Sequence, residues 1–530
     1  MKIYNFLIPL LIFTFGLVNC GRDLFGTGLE RYPGDLADTR FNNVILEHDY
    51  QWLIGQQESL WDPSFFYPAK NMLAGSDNHL GTFLLYVPFR LVGFDEIRSF
   101  QWWVLCLFIL NFFVFYKVAR KLGLNVAASS AGAFLFTFSM PVLGSVHHIQ
   151  TMCKFSFPLV IFFFYRILFD TKKQNILYFA LSLTHVFYCS LYYGMFTILI
   201  LAVFFIGSLF FKPKLKAFFA RENLLWLVSS VVVMAGLIIP LLLKYVEMEK
   251  FSPDLIYDHV EGNVPHPYSF LLPHPGTQFY GFLFEQAKIH TNSFWQHCFF
   301  IGFTSMALIF SSVYFLRKYR EGNTVFVICC ITLFGVILLT SAAGKFSFYR
   351  YIIEIRGFGH LRVVNRIVLL ELFFMSLLVA WMVNRIKTNA IQTKMLLASL
   401  VIFICGEHFM QKDTLKFDLV EKAKHNHAYV NKAIDKCRTK PTVFVVLKDS
   451  SLSRNDFNEG VAQIDGMMSS LQKGVPTING YSTAYDPRFW NIVSNDVKGV
   501  NIWLNAYGVD TNKFHKKILV IRCKQTYENW

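Results

Sequence analysis

Charged side chains are what this chain has least of. They occupy 16% of its 530 positions, against about 25% in an ordinary soluble domain. A water-soluble protein of this length could not cover its cores with so little polar surface, which excludes a soluble enzyme and equally a disordered chain. Disulfide-scaffold and zinc patterns are missing too. There are 10 Cys, with no CxxC pair and no Cys/His cluster at zinc-ligand spacing. Cys106, Cys153, Cys189, Cys298, Cys329, Cys330 and Cys405 lie in or beside apolar runs, where a thiol acts as a small hydrophobe. No internal repeat is visible, and few charges fall inside the apolar runs. Both absences count against a secondary transporter.

What is there is apolar. Hydrophobic residues make up 54% of the chain and aromatics 17%, with 58 Phe. A helix crossing hydrocarbon needs about 20 apolar residues. Eleven runs qualify as candidates: 3–19, 100–118, 126–145, 153–169, 176–190, 193–211, 225–243, 298–316, 324–342, 367–384 and 395–410. The run 176–211 is too long for one upright helix and is split at Tyr192-Tyr193-Gly194. The expected fold is an all-α polytopic membrane bundle.

The net charge of +15 would suggest nucleic acid in a soluble protein. Here its placement sets orientation instead, and no nucleic-acid partner is expected. Lys117, Arg120 and Lys121; Lys172 and Lys173; Lys212, Lys214, Lys216 and Arg221; Arg317, Lys318 and Arg320; and Arg385, Lys387 and Lys394 all occupy short loops on one side, the cytoplasmic one. The long segments 20–99, 244–297, 343–366 and 411–530 then face outward. The first run reads as an uncleaved signal-anchor. A cleaved signal peptide is the alternative, and Asn19-Cys20 is a poor lipidation site. Short loops and the lack of an organellar retention signal point to a bacterial inner membrane.

Residues 1–410 are expected to form the membrane module, and 411–530 a small α/β domain outside it. Val443 to Leu447 and Ile518 to Ile521 read as short buried strands, and Phe417 to Ala433 as a polar helix. Cys437 and Cys523 flank those strands and could pair or stay as free thiols.

The first outer loop carries the densest chemistry. Pro33-Gly34 marks a turn. From Asp38 onward Phe41, Val44, Ile45 and His48 fall at helical spacing, which predicts an amphipathic helix along the membrane surface. Arg40, Glu47 and Asp49 would form its charged face. Asp35 and Asp38, three apart, could supply a general base or bind a divalent cation. They could equally be a helix cap and a first-turn charge. Ser76-Asp77-Asn78-His79 gathers hydrogen-bonding groups ahead of a short apolar run, 82–94. It suits a sugar or phosphate head group, or a capped helix start.

His147-His148-Ile149-Gln150 ends the third run. Adjacent His project to different helix faces, so hydrogen bonding is a better reading than metal binding. His185 lies inside the fifth run, and Glu371, near the start of the tenth, is spaced to pair with Arg366. Arg350, Arg356, Arg362 and Arg366 break the positive-inside trend. That excess implies an anionic partner, and guanidinium forks suit phosphate oxygens. Pairing with loop carboxylates is the alternative.

These features resemble the GT-C superfamily of integral-membrane glycosyltransferases that use polyprenyl-phosphate sugars. Gly34-Asp35-Leu36-Ala37-Asp38-Thr39-Arg40 stands where that superfamily has an acidic residue close after the first span. Trp61-Asp62-Pro63 with Phe66-Tyr67-Pro68, and Leu361-Arg362-Val363-Val364-Asn365-Arg366, are similar to stretches of bacterial members, with Val364 in place of a Pro. Pro476 to Ser482 resembles a tail segment of uncharacterised bacterial members, and the segment from Gly474 to Ser482 is expected to turn back toward the active cavity. A second acidic motif is not evident in 244–297, although Asp254, Asp258 and Glu261 lie there. This leaves metal dependence, and a divalent cation as cofactor, open.

The resemblance implies an inverting glycosyltransferase for a hexose or pentose in cell-envelope synthesis. Asp35, or next Asp38, would be the base. Arg362, Arg366 and Arg356 would hold the donor phosphate. Arg40, Glu47, His48, Asp77, Asn78, His79, His148 and Gln150 would contact substrate. The partners would be a polyprenyl-phosphate sugar, the lipid bilayer, and a glycan, lipid or protein acceptor. The rival functions are a transporter or flippase of lipid-linked sugars and a non-catalytic envelope assembly factor.

Overall fold

The computed structural model describes residues 4–170, 172–213, 221–252, 254–287, 297–318, 322–386, 390–411, 415, 417–449, 458–510 and 518–523. It is mostly helical, and the chain divides into two compact units. One comprises residues 1–24, 104–239 and 254–416; the other comprises 25–103, 240–253 and 417–530.

The first unit is helical. Among the described residues of the whole chain, seven helices are long and apolar enough to cross a membrane: Asn5–Phe25, Glu96–Lys121, Val126–Gly144, Val146–Phe169, Leu191–Leu209, Asn223–Phe251 and Val364–Asn384. The other expected runs are helical but shorter. Gln174–Cys189, Phe303–Lys318 and Ile391–Gly406 have 16 residues each, and Thr324–Thr340 has 17. The division of 176–211 falls at Ser190 rather than at Tyr192–Gly194. Ser190 takes extended backbone (φ −165°, ψ 130°) between two helices, and Ser is a favoured residue at a helix start.

Helix Val368–Asn384 is the buried axis of this unit. It packs most heavily on Val126–Phe138. The cause is the small-residue run Ala128-Ser129-Ser130-Ala131-Gly132-Ala133, which lets two backbones approach where the hydrophobic effect cannot discriminate helix from lipid. A Cβ on Gly132 would lie 2.9 Å from the Ser376 carbonyl oxygen. By contrast Leu225 and Val232 are 73% and 63% exposed on an apolar helix. Such a helix is stable only against lipid.

The second unit is α/β. Strands Val443–Lys448 and Ile518–Cys523 pair in parallel, as a pair joined by a long crossover must be connected. The crossover contains helices Glu459–Lys473 and Trp490–Ala506. The polar helix of the tail spans Val420–Asp435. Cys437 and Cys523 are not joined in a disulfide. The short apolar run after residue 82 forms a 3-10 turn, Phe83–Leu85, and a helix, Val87–Leu91.

Residues 476–479 act as a third strand in this unit. The Phe444 N–H donates to the Pro476 carbonyl (3.1 Å) and the Ile478 N–H to the Phe444 carbonyl (3.0 Å). The Asn479 side chain continues the ladder: its Oδ1 accepts from the Val446 N–H (2.7 Å) and its Nδ2 donates to the Val446 carbonyl (2.9 Å). On the other side, the Thr477 N–H donates to the Ser64 carbonyl (2.8 Å), and the N–H groups of Phe66 and Tyr67 donate to the carbonyls of Asn479 and Thr477 (2.9 Å each). The tail is thereby stitched into the first outer loop around a core that includes Phe41, Phe65, Phe66, Val445, Ile464, Met467 and Trp503.

Helix Asp38–Leu53 is present as expected from its spacing, but not as a surface helix. Arg40, Glu47 and Asp49 are all buried. The loop and the tail cover both faces of the helix and bring partners for Arg40 and Glu47.

Candidate active site

Pro33-Gly34 turns the chain into helix Asp38–Leu53. Asp35 secures that entry: its Oδ1 accepts the N–H groups of Ala37 and Thr39, each at 2.9 Å. This satisfies amides that would otherwise be orphaned in the first turn. Asp38 opens the helix and is half-buried. Its Oδ1 accepts the hydroxyl proton of Tyr481, from the tail. The Tyr481 ring packs on Phe41, with centroids 5.4 Å apart.

Behind Asp38 the helix is anchored by charge. Arg40 Nη1 donates to Asp465 Oδ1 at 2.5 Å, both side chains being buried. Its Nη2 meets His427 Nδ1 at 3.0 Å. Burial, and secondarily Arg40, push the His427 pKa down to about 3. The ring is therefore neutral, and Nδ1 accepts. Glu47 takes a two-pronged contact from Arg90, Nε to Oε2 at 2.8 Å and Nη2 to Oε1 at 3.1 Å. Tyr86 donates its hydroxyl to the same Oε2 at 2.7 Å. His48 bonds the Leu60 carbonyl through Nε2 at 2.9 Å.

The Ser76–His79 cluster belongs to the same unit. His79 Nε2 lies 2.6 Å from Asn42 Oδ1. Burial lowers the His79 pKa to about 3, so the neutral ring donates there. Asn78 Nδ2 donates to the Tyr245 hydroxyl, which in turn donates to the Ser76 carbonyl, both at 2.7 Å. Asp77 is half-buried. The residues singled out between 35 and 79 thus gather in the second unit. Among the described residues no group of three or more His, Cys, Asp or Glu stands at metal-holding distance.

The arginine-rich stretch lies in the first unit. Arg362 is exposed, and its backbone N–H donates to the Tyr192 hydroxyl at 3.1 Å. The Arg366 guanidinium lies over the Tyr192 ring, 5.2 Å from its centroid. Its Nε is buried without a hydrogen bond. Arg356 is exposed. Arg350 stacks over Tyr257 at 4.1 Å and is 3.9 Å from Asp258. The pair of Glu371 with Arg366 suggested by spacing does not form: Glu371 accepts instead from Thr340 Oγ1 at 3.5 Å. His148 and Gln150 are half-buried in the 3-10 segment Val146–Met152 of this unit.

Sequence reasoning overlooked Asp465, His427 and Tyr245, none of which carries a local signal, and reached Tyr481 only as a member of the segment expected to turn back. It also passed over Lys154, which is buried with its ammonium 4.4 Å from the Phe136 ring centroid.

No protein-family model and no curated protein matches the chain. Solved structures do share its fold. An Archaeoglobus fulgidus oligosaccharyltransferase, tethered with an acceptor peptide containing the NVT sequon, aligns with a TM-score of 0.52 at 11% identity. The alignment covers 96% of this chain and 68% of that one. The archaeal oligosaccharyltransferase AglB from the same organism, in complex with an inhibitory peptide and a dolichol-phosphate, aligns with a TM-score of 0.50 at 12% identity, over 96% of this chain and 69% of that one. The chain thus shares the fold of these oligosaccharyltransferases over 96% of its length.

Proposed function

We propose that the chain is an inverting glycosyltransferase, moving a sugar from a polyprenyl-phosphate donor to an extracytoplasmic acceptor in envelope glycan or glycolipid synthesis. The observation that carries this reading is Asp38: a carboxylate close after the first span, half-buried and held by a phenol, in a fold shared with oligosaccharyltransferases. The reading places the protein in a bacterial inner membrane with eleven spans, and residues 20–99 and 411–530 outside.

In the proposed reaction Asp38 removes the proton from an acceptor hydroxyl. That oxygen bonds to the anomeric carbon as the bond from this carbon to the phosphate oxygen breaks. The electron pair leaves with the lipid phosphate. Separately, from the sequence resemblance, Arg362, Arg366 and Arg356 are the proposed holders of the donor phosphate. Asp38 stands ahead of Asp35 as base, because two backbone amides already occupy an oxygen of Asp35. Asp77, His148 and Gln150 are proposed sugar or acceptor contacts. Arg40, Glu47, His48, Asn78 and His79, enclosed by protein, are proposed to shape the site from behind.

The test uses full-length protein in lipid nanodiscs. Asp38→Asn should abolish transfer of labelled hexose from undecaprenyl-phosphate-hexose while leaving undecaprenyl-phosphate binding intact. Arg362→Ala with Arg366→Ala should weaken that binding at least about tenfold, the scale of one lost charge-assisted contact. Sugar movement across the bilayer without a new glycosidic bond would favour the flippase instead. Neither binding nor transfer would favour an assembly factor.

A further inference from the structure

The tail contributes more than a cover to its unit. We infer that Tyr481 is a positioning residue for Asp38, so that the proposed base is completed by a residue 443 positions away in sequence. The inference rests on the glycosyltransferase reading and adds a residue to its site.

The geometry makes Tyr481 a fixed donor. Gly480, just before it, donates its N–H to Gln463 Oε1 at 3.1 Å. A Cβ at Gly480 would fall 2.4 Å from the Phe66 ring, so the backbone is pressed against that ring. Beyond it, Thr483 Oγ1 donates to the Gly75 carbonyl at 2.8 Å, and the Ala484 N–H donates to the same carbonyl at 3.0 Å. The phenol is therefore delivered by a segment pinned on both sides. Phe41, one turn along the helix from Asp38, packs against its ring.

A donor held on one carboxylate oxygen has two effects. It fixes the rotamer, and with it the direction in which the carboxylate can meet the acceptor hydroxyl. It also favours the charged form of the acid, keeping the base ionised at lower pH. Among the described residues, the charged groups at this helix start include Asp35, which accepts backbone amides, and Arg40, engaged by Asp465 and His427. Tyr481 is a neutral group that bonds Asp38 from the tail.

The test is Tyr481→Phe in the full chain, which keeps the ring on Phe41 and removes the hydroxyl. Transfer from labelled undecaprenyl-phosphate-hexose is followed against pH. A positioning role predicts kcat lower by about tenfold, the scale of one lost hydrogen bond, with KM within about twofold. The acid limb of the profile should move up by about one pH unit, as loss of a hydrogen bond to the charged form requires. 3-Fluorotyrosine at 481, a stronger donor that should preserve the fold, should move the limb the other way. An unchanged limb and kcat in both proteins overturns the role of Tyr481 while the glycosyltransferase reading stands. Full transfer by Asp38→Asn overturns Asp38 as base and Tyr481 with it. Absence of transfer by the unmodified protein overturns the function itself.

Discussion

Arg40 and Asp465 form a buried ion pair at 2.5 Å, joining helix Asp38–Leu53 to helix Glu459–Lys473 across 425 residues of sequence. Removing one partner strands the other charge away from water. Arg40→Ala or Asp465→Asn should each lower stability by about 3–5 kcal/mol, the range for a broken buried pair. Arg40→Met combined with Asp465→Leu should recover much of that loss. Thermal unfolding in detergent reads the difference, and equal losses for single and double variants would refute a paired interaction.

The unit should also weaken in mild acid. His48, His79 and His427 have pKa values pushed down to about 4, 3 and 3 from an ordinary 6.5, in each case chiefly by burial. The folded chain keeps them neutral, whereas the unfolded chain protonates them below about 6.5. No penalty exists above that value, and stability falls as pH drops from 6.5 toward 4 and 3. A series of melting temperatures from pH 7.5 to 4.5 should show the decline, and His79→Gln should make it shallower.

Asp49 behaves in the opposite sense. Burial raises its carboxyl well above the ordinary 3.8, and neither oxygen has a hydrogen-bond partner. The unfolded chain ionises it above 3.8 while the folded chain keeps it protonated. Its cost is absent below that value and grows as pH rises. Asp49→Leu, close in shape, should raise the melting temperature at pH 7 and do little near pH 4. A destabilised variant at pH 7 would show that the carboxyl has a stabilising partner.

Gly480→Ala tests the seam between tail and loop. The added Cβ would meet the Phe66 ring at 2.4 Å, and overpacking of this kind costs about 1–3 kcal/mol. Chemical unfolding should show that loss, and Gly480→Ala with Phe66→Leu should relieve part of it.

The helices were legible because the cause of each is local. An apolar run near 20 residues must satisfy its backbone internally in lipid, and the runs at 100–118 and 367–384 could hardly become anything else. The helix after Asp38 and the strands at 443 and 518 followed from side-chain period in the same way. The split near Ser190 was missed by two residues, since Gly and Tyr draw the eye while an N-terminal Ser sets the break.

The sequence alone determined a membrane-embedded helical chain, the start of the Asp38 helix, and the short list of acidic and basic residues worth testing. Tertiary structure alone decided that this helix is enclosed rather than laid on a surface, that Arg40 faces Asp465, and that Tyr481 reaches Asp38. The reason is physical. Periodicity reports which face of an element avoids water, but a charged face can be covered once distant segments bring opposite charges and hydrogen-bond donors to it. Asp465 and Tyr481 lie more than 400 residues from Arg40 and Asp38, where no local pattern can record them.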